Sequence, residues 1–295
     1  MGVTSPRAMF AGLATLDVVH LVERLPRTDQ KATALDFLLA AGGPAANAAV
    51  AFAACGGAPS LVTALPQHPL TATVTDDLEA HGVAVEIAGT YDGPPITASI
   101  MITRATGERA VVSPTGAATG EALASSPAPD LDGVDAVLID GYFRSISLPL
   151  AAAARARGIP VVLDAGSFKP YTDEVLAAID VAVVSADFRP PGTEGEPDAV
   201  LAYLAERGVR AGVITGGSRP IVWRAEGYGT GEVPVPRLGA VVDTLGAGDF
   251  FHGAITYRIA ALGLDLERLP HDLAFAADVV ARSLGSFGTR AWLNP

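Results

Sequence analysis

The sequence predicts an α/β protein with a doubly wound, mainly parallel β-sheet, flanking helices and a small β-sheet lid. Short apolar runs alternate with helix-like patterns along the chain, as expected of strands buried on both faces of a parallel sheet. Two segments, about 14–40 and 92–113, instead alternate apolar and polar residues, which is typical of half-exposed antiparallel strands. We expect one domain, 1–295, with these two segments as the lid; ordinary surface hairpins are the alternative for them.

The strands of the large sheet are predicted from continuous apolar runs, and the helices from the patterns between them. Gly158 and Gly208 follow two of the helical patterns, at the position where a glycine commonly ends a helix. In such sheets ligands bind beyond the carboxyl ends of the strands, so we expect the site there. The predicted strands are 8–13, 137–140, 160–164, 181–185 and 212–215, and the predicted helices are 149–157, 173–179 and 198–207.

Composition and charge exclude several classes of function. The formal net charge is −12 and the only lysines are Lys31 and Lys169, so no basic patch favours nucleic acid. The single cysteine, Cys55, allows no disulfide within the chain. Residues 37–75 contain no Asp, Glu, Lys or Arg, but glycines and prolines interrupt them, which indicates a buried helix and not a membrane span. Without a signal peptide pattern in 1–10, a cytoplasmic protein is expected.

The strongest motif is the segment Asp243–Phe251, which reads Asp-Thr-Leu-Gly-Ala-Gly-Asp-Phe-Phe. The apolar run 239–242 before it predicts a strand. A helical pattern follows from Asp249 to Leu262, and Gly263 is placed to end it. The motif is therefore interpreted as a strand, a glycine-rich turn and the start of a helix.

This turn is a candidate phosphate site. The first N–H groups of a helix have no intrahelical partner and carry partial positive charge. Gly246 and Gly248 lack side chains, so a ligand can approach the backbone closely. Asp249 lies in the first turn, where a carboxylate can simply stabilise the helix dipole. Beside a phosphoryl group it can also take the proton of an attacking hydroxyl.

A second glycine motif covers Gly42–Ala51. Pro44 suits the first helical position, and the alanines after it permit close packing. Asn47, one turn into the helix, can donate to and accept from a hydroxyl. A tightly packed helix with a glycine entry is the alternative interpretation.

Other nucleotide-binding and catalytic patterns are missing from the sequence. There is no Gly-Lys dipeptide and hence no P-loop. The protein-kinase motifs, the Gly-x-Ser-x-Gly nucleophile elbow and the His-Glu-x-x-His zinc motif are also missing.

Together, the two glycine motifs resemble the signatures of the PfkB (ribokinase-like) family of carbohydrate kinases. The N-terminal half is similar to ketohexokinase-like and sulfofructose kinase-like members in Gly12–Val19, Leu25-Pro26 and Gly42-Gly43. The resemblance implies a ribokinase-like fold and ATP-dependent phosphorylation of a primary hydroxyl of a small sugar. It further implies Mg²⁺ and K⁺ as cofactors and a homodimer formed through the lid.

The resemblance also implies a role for individual residues. Asp249 matches the catalytic base, and Gly246, Ala247 and Gly248 match the anion hole. The candidate substrate-binding residues are Asp17, Lys31, Gly43, Asn47 and Arg109; the nucleotide-binding ones are Thr215, Gly217, Thr244, Gly246, Gly248, Gly285 and Gly288; Asp243 matches a position beside a monovalent cation and Asp187 one associated with magnesium.

The sequence departs from the family pattern at several points. The magnesium-linked Asn-x-x-Glu segment is not intact near 185–188, so Asp187 replaces it or the metal is held through phosphates and water. Pro44 stands where ketohexokinases have an asparagine, Pro220 where the nucleotide loop usually has glycine, and Tyr142 where sulfofructose kinases place an arginine. These departures leave the acceptor open. The alternatives are a nucleoside or sugar-phosphate kinase of the same fold, or a catalytically silent nucleotide- or sugar-binding sensor.

Overall fold

The computed structural model describes residues 5–114 and 129–293, and these residues form two β-sheets. The strands, in chain order, are β1 (Arg7–Ala11), β2 (Thr15–Val22), β3 (Asp36–Gly42), β4 (Ala58–Ala64), β5 (Ala84–Gly89), β6 (Thr97–Thr103), β7 (Arg109–Val112), β8 (Ala136–Ile139), β9 (Val161–Ala165), β10 (Val181–Ser185), β11 (Ala211–Thr215), β12 (Ile221–Ala225) and β13 (Gly229–Val233).

Helices cover both faces of the larger sheet, as the alternating pattern predicts. One buried core contains residues of α1, α2, α6 and α7, and a second core on the opposite face contains residues of α3, α4 and α5. These helices are α1 (Pro44–Ala54), α2 (Thr71–Ala80), α3 (Arg144–Ala156), α4 (Thr172–Leu176), α5 (Pro197–Glu206), α6 (Ala247–Leu262) and α7 (Leu269–Ser283), followed by a 3₁₀ turn at Ala291–Leu293.

The larger sheet has the order β13-β12-β11-β10-β9-β8-β1-β4-β5. Pairing is parallel from β11 to β5, and β12 and β13 are added antiparallel at one edge. The chain builds outward from β1 in one direction and then returns to place β8 on its other side. The strand order therefore reverses between β1 and β8, where ligand crevices form in open α/β sheets. The predicted doubly wound fold is confirmed.

The smaller sheet has the order β3-β2-β6-β7 and lies within the two segments of alternating pattern. The antiparallel prediction holds for its outer pairs but is wrong for the central pair, because β2 and β6 run parallel. Parallel neighbours need a long connection, and here α1, β4, α2 and β5 lie between them in the chain. Val19, Ile100 and Ile102 form the buried face of this sheet and pack against Leu245 and Phe287.

Three predicted elements differ from the structure. Helix α3 begins at Arg144, five residues before the predicted start, and Pro149 lies inside it; in the second turn a proline leaves only one carbonyl without its helical partner. Helix α4 ends at Leu176, before the predicted 179. The run 239–242 is not a strand; its last residue, Val242, donates its N–H to the Leu284 carbonyl at 2.8 Å, which joins this segment to the end of α7.

Residues 37–75, which contain no Asp, Glu, Lys or Arg, fold into β3, α1, β4 and the start of α2. Helix α1 has 11 residues and most of them are buried. Across residues 5–114 and 129–293, no helix combines the length and the apolar character that crossing a bilayer requires.

Helices α1 and α6 pack unusually closely, because small residues line their contact. A Cβ built on Gly253 of α6 would lie 2.1 Å from the Ala48 carbonyl oxygen and 2.8 Å from the Ala51 Cβ of α1. No side chain fits there without moving one helix. The contact keeps the first turns of the two helices side by side.

We expect Gly253→Ala to lower the free energy of unfolding by about 1–3 kcal/mol, the usual cost of overpacking a core. Urea unfolding followed by circular dichroism measures this. Gly239→Ala is the matched control, because a Cβ at Gly239 meets nothing within 4 Å. Equal stability of the two variants would contradict the close contact.

Candidate active site

The crevice at the strand-order reversal is organised by Asp140, which directly follows β8. Its Oδ2 accepts the N–H of Leu13 at 2.8 Å and the N–H of Ala45 at 3.2 Å. Its Oδ1 accepts the N–H of Tyr142 at 2.9 Å. One buried carboxylate thereby joins the loop after β1, the first turn of α1 and the loop after β8.

Asn47 and Asp249, from the two glycine motifs, meet in this crevice. Asn47 is 2% exposed in α1, and Asp249 is half-buried in the first turn of α6. The Asn47 Nδ2 donates to the Asp249 Oδ2 at 2.8 Å. The close packing of the two helices thus brings together polar groups that lie 202 residues apart in the sequence.

The first turn of α6 presents backbone N–H groups beside Asp249. Gly246 caps the helix with a φ of 75°, in the left-handed region that favours glycine. The N–H groups of the next three residues have no acceptor within the helix. Among the described residues, only the N–H of Ala247 has an acceptor elsewhere, the Thr244 carbonyl at 3.4 Å. A Cβ on Gly248 would meet nothing within 4 Å, so the turn is open to a ligand. This is the geometry of an anion site.

A cation from the smaller sheet lies at the same turn. The Arg109 Nη1 on β7 donates to both the carbonyl and the Oγ1 of Thr244, at 3.2 Å each. The Thr244 Oγ1 in turn donates to the Gly107 carbonyl at 3.1 Å. The hairpin of β6 and β7 is therefore in direct contact with the glycine-rich turn.

Asp17 on β2 faces the entry of α1. Its Oδ1 accepts the Thr15 hydroxyl at 2.6 Å, and burial raises its pKa. A Cβ on Gly42 would lie 2.1 Å from the Asp17 Oδ2, and one on Gly43, whose φ is 98°, would lie 2.2 Å from the Leu13 carbonyl oxygen. Both positions require glycine for the carboxylate and the helix entry to approach this closely.

A buried acid and a histidine lie behind Asp249. Asp164 is the penultimate residue of β9, and its Oδ2 is 3.2 Å from the His252 Nδ1. Burial, and then the nearby charge of Asp140, raise the pKa of Asp164 to about 8, although Lys169 opposes this. Burial lowers the pKa of His252, and its Nε2 faces the Val183 carbonyl at 3.2 Å. We therefore assign the proton of the neutral imidazole to Nε2.

These surroundings shift the titration of Asp249. Loss of contact with water, and then the charge of Asp164, raise the pKa of Asp249 to about 7. The hydrogen bond from Asn47, the charge of His252 when it is protonated and the charge of Arg109 oppose that rise. A carboxylate with a pKa near 7 is suited to accept a proton at neutral pH.

The candidate nucleotide-binding residues outside the glycine-rich turn lie in or next to other loops. Thr215 ends β11, and Gly217 is exposed just beyond it with a φ of 64°. Gly285 is exposed after α7, whereas Gly288 is buried. A Cβ on Gly288 would lie 2.2 Å from the Leu38 side chain of β3, so this glycine packs against the smaller sheet.

The two candidate metal-associated residues differ in environment. Asp243 is 3% exposed, and its carboxylate accepts the N–H of Leu245 at 2.7 Å and the N–H of Gly288 at 2.8 Å. It therefore ties the glycine-rich turn to the loop after α7. Asp187 is exposed after β10. The described residues contain no group of three or more His, Cys, Asp or Glu side chains arranged to hold a metal ion.

Lys31 is exposed and, in the described part of the chain, is not joined to the other candidate substrate-binding residues. It is exposed in the loop between β2 and β3. No hydrogen bond or ion pair among the described residues joins its side chain to Asp17, Asn47 or Asp249.

Comparison with known families identifies the family to which the chain belongs. The sequence model of the pfkB family of carbohydrate kinases matches residues 5–292. The chain belongs to this family. The matched residues include both glycine motifs and both sheets of this PfkB kinase.

Individual relatives of this PfkB kinase agree with the fold. The ribokinase of Bacillus subtilis (strain 168) is 25% identical over 287 residues, covering 95% of this chain and 93% of that protein. The structure of Arabidopsis thaliana ribokinase complexed with ribose and ATP has a TM-score of 0.72 at 22% identity, covering 99% and 100% of the two chains. That of Burkholderia thailandensis nucleoside kinase in complex with inosine has a TM-score of 0.73 at 18% identity, covering 97% and 94%.

The structure adds four site residues that the sequence analysis did not single out for a role: Asp140, Asp164, His252 and Arg290. Asp140 and Asp164 each end a predicted strand of the kinase at the expected binding edge, which was a usable signal. His252 lies within a long helical pattern, and Arg290 lies in a loop near the end of the chain. Neither carries a signal in the sequence.

We expect the Asp249 carboxyl group to titrate with a midpoint near 7. Asn47→Ala should move this midpoint to higher pH, because it removes an N–H that stabilises the ionised form. Carboxyl-carbon NMR measures the titration, and Asp249→Asn identifies the resonance. A midpoint in Asn47→Ala equal to or below that of the wild type would contradict the assigned hydrogen bond.

Proposed function

We propose that this kinase transfers the γ-phosphoryl group of ATP to a hydroxyl, most simply a primary one, of a small sugar. The observation that carries the proposal is the position of Asp249. Its carboxylate lies in the first turn of α6, beside the backbone N–H groups of residues 246–248, and accepts a hydrogen bond from Asn47. A base and an anion site are thereby adjacent, as transfer to a hydroxyl requires.

The reaction follows from this arrangement. Asp17 and Asn47, with the backbone at Gly43, bind the acceptor so that one hydroxyl points at Asp249. Asp249 takes the hydroxyl proton as the oxygen forms a bond to the γ-phosphorus, and the bond from that phosphorus to the bridging oxygen breaks to release ADP. The N–H groups of Gly246, Ala247 and Gly248, together with Arg109, stabilise the charge that develops on the phosphoryl oxygens.

The nucleotide is proposed to lie across the loops that border the anion site. Mg²⁺, when bound, neutralises phosphate charge, and it commonly uses one or two carboxylates together with phosphates and water. The exposed carboxylate of Asp187 fits that mode. Asp243 gives less support to a K⁺ site, because it already accepts two backbone N–H groups. The nucleotide-side residues are Thr215, Gly217, Thr244, Gly246, Gly248, Gly285 and Gly288.

The smaller sheet, in segments 14–40 and 92–113 of the single domain, is proposed to act as a lid. It contributes Asp17 to the acceptor side and Arg109 to the phosphate side. Closure over the acceptor excludes water and thereby limits hydrolysis of ATP.

The outer face of this sheet is also the proposed dimer contact. Phe37 and Leu39 on β3 are 50% and 48% exposed, and Val112 on β7 is 71% exposed. Apolar side chains at the edges of a sheet favour pairing with a second chain. A second copy of the kinase is the proposed partner.

Ribose and inosine, which the Arabidopsis and Burkholderia relatives hold, differ by a base. The polar pair Asp17 and Asn47 serves either acceptor, and a nucleoside kinase is therefore the competing activity. A sugar-phosphate kinase is less favoured because it would need more basic residues in the lid than Lys31 and Arg109. A silent sensor is less favoured because it has no use for a base tuned to neutral pH.

Asp249→Asn should reduce turnover by at least about 10²–10⁴-fold, the usual contribution of general-base catalysis. ATP binding should persist because Asn is isosteric. ADP release with a panel of sugars, sugar phosphates and nucleosides, alongside calorimetric ATP binding, measures both. Asp278→Asn, an exposed change on α7, is the control. Wild-type turnover by Asp249→Asn would refute the assignment of the base.

Asp17→Ala should raise KM for the acceptor by a larger factor than KM for ATP, because Asp17 lies on the acceptor side. Steady-state kinetics with each substrate varied in turn measures both constants. Equal changes in the two constants would show that Asp17 does not face the acceptor.

A further inference from the structure

Arg290 is a nearly buried cation in the loop after α7, and its side chain is 12% exposed. Its Nε and Nη2 donate to the Asp77 Oδ2 of α2 at 3.1 and 2.9 Å. Its Nη2 also donates to the Ala41 carbonyl at 2.8 Å. Its Nη1 donates to the Asn47 Oδ1 at 3.1 Å. The guanidinium therefore reaches the residue that holds Asp249.

These contacts fix which way the Asn47 amide faces. A guanidinium only donates hydrogen bonds, so the amide oxygen of Asn47 must face Arg290. The amide nitrogen then faces Asp249, to which it donates at 2.8 Å. A flipped amide would place its N–H groups against Arg290 and its oxygen against the carboxylate, and would lose both hydrogen bonds.

We propose that Arg290 is a positioning residue for phosphoryl transfer, which holds the Asn47 amide with its N–H groups toward Asp249 and the acceptor. The inference rests on the proposed function of this site. One N–H of the Asn47 amide bonds Asp249, and the other is left for an acceptor oxygen. Since Asn47 offers the acceptor only donors, the hydroxyl at that position accepts from Asn47 and directs its own proton to Asp249.

Arg290 is itself held by groups on several elements. Burial lowers the pKa of Arg290, and the charges of Asp77, Asp17 and Asp249 oppose this because they favour the charged guanidinium. The Ala41 N–H at the end of β3 also donates to the Asp77 Oδ2, at 3.0 Å. The Asp77–Arg290 pair thus joins α2, β3 and α1 around one amide.

The test compares Arg290→Gln and Arg290→Lys with Arg258→Gln. Arg258 pairs with the buried carboxylate of Asp272 at 2.8 Å, which Arg268 also pairs with at 3.0 Å. No hydrogen bond among the described residues joins Arg258 to Asn47, so its variant reports the loss of an arginine–carboxylate pair outside the site. Lysine at 290 retains the charge but lacks the fork that serves Asp77 and Asn47 together. Urea unfolding, kcat, both KM values and the carboxyl-carbon NMR titration of Asp249 are measured for each variant.

We expect kcat of both Arg290 variants to fall by about 10–100-fold, as misplacement of reacting groups does, while KM for ATP changes less than about twofold. The Asp249 titration should move to higher pH in both variants, because the Asn47 N–H is no longer held on its carboxylate. In Arg290→Gln the loss of a nearby positive charge adds to this shift, so Arg290→Lys, which keeps the charge, isolates the effect of the Asn47 amide. Asp164, His252 and Arg109, which also face Asp249, are unchanged in these variants. Arg258→Gln should lose stability yet keep the wild-type kcat and titration.

A folded Arg290→Gln or Arg290→Lys with wild-type kcat and an unshifted Asp249 titration would overturn the inference. If Arg290→Gln does not fold, Arg290→Lys decides the question by the same two readouts. Absence of turnover in the wild type with every acceptor would instead refute the proposed function. The NMR titration needs no turnover, so it still tests whether Arg290 orients the Asn47 amide.

Discussion

The close contact between α1 and α6 is the constraint on which the candidate site depends. Gly253 lies against the Ala48 carbonyl, and no larger residue at that point would keep the two helices at this separation. Only at this separation does the Asn47 amide reach the Asp249 carboxylate. The same arrangement leaves the backbone N–H groups of the first turn of α6 open to the crevice. A packing requirement in the core therefore determines the chemistry at the surface.

The carboxylates of the crevice differ in their hydrogen bonds and in their pKa values. Asp140 accepts three backbone N–H groups and shapes the loops. Asp164 is buried with a pKa raised to about 8, and its presence helps to raise the pKa of Asp249 to about 7. Asp249 is the group among these that faces both Asn47 and the open helix turn. Burial and mutual repulsion thus separate a structural carboxylate from one suited to proton transfer.

The sequence predicted much of this arrangement, but not all of it. Continuous apolar runs located the central strands, and the two glycine motifs located α1 and α6, because both signals arise from local chemistry. The parallel pairing of β2 and β6 depends on distant chain connections, which local alternation does not report. Arg290 was missed for the same reason, since its partners Asp77, Ala41 and Asn47 lie more than 200 residues away in the chain. The predicted start of α3 was wrong because proline is common at the first position of a helix, whereas Pro149 lies in the second turn.

The contact of Arg109 and Gly107 with Thr244 bears on how the two substrates affect each other. The smaller sheet carries Asp17 at one end of this connection, and the glycine-rich turn lies at the other. If an acceptor draws the sheet inward, as proposed, it also presses this hairpin onto the glycine-rich turn. Thermodynamic linkage is reciprocal. If a bound acceptor increases the affinity for the nucleotide, a bound nucleotide increases the affinity for the acceptor by the same factor. On the proposed function, the acceptor site and the nucleotide site would therefore act as one cooperative unit.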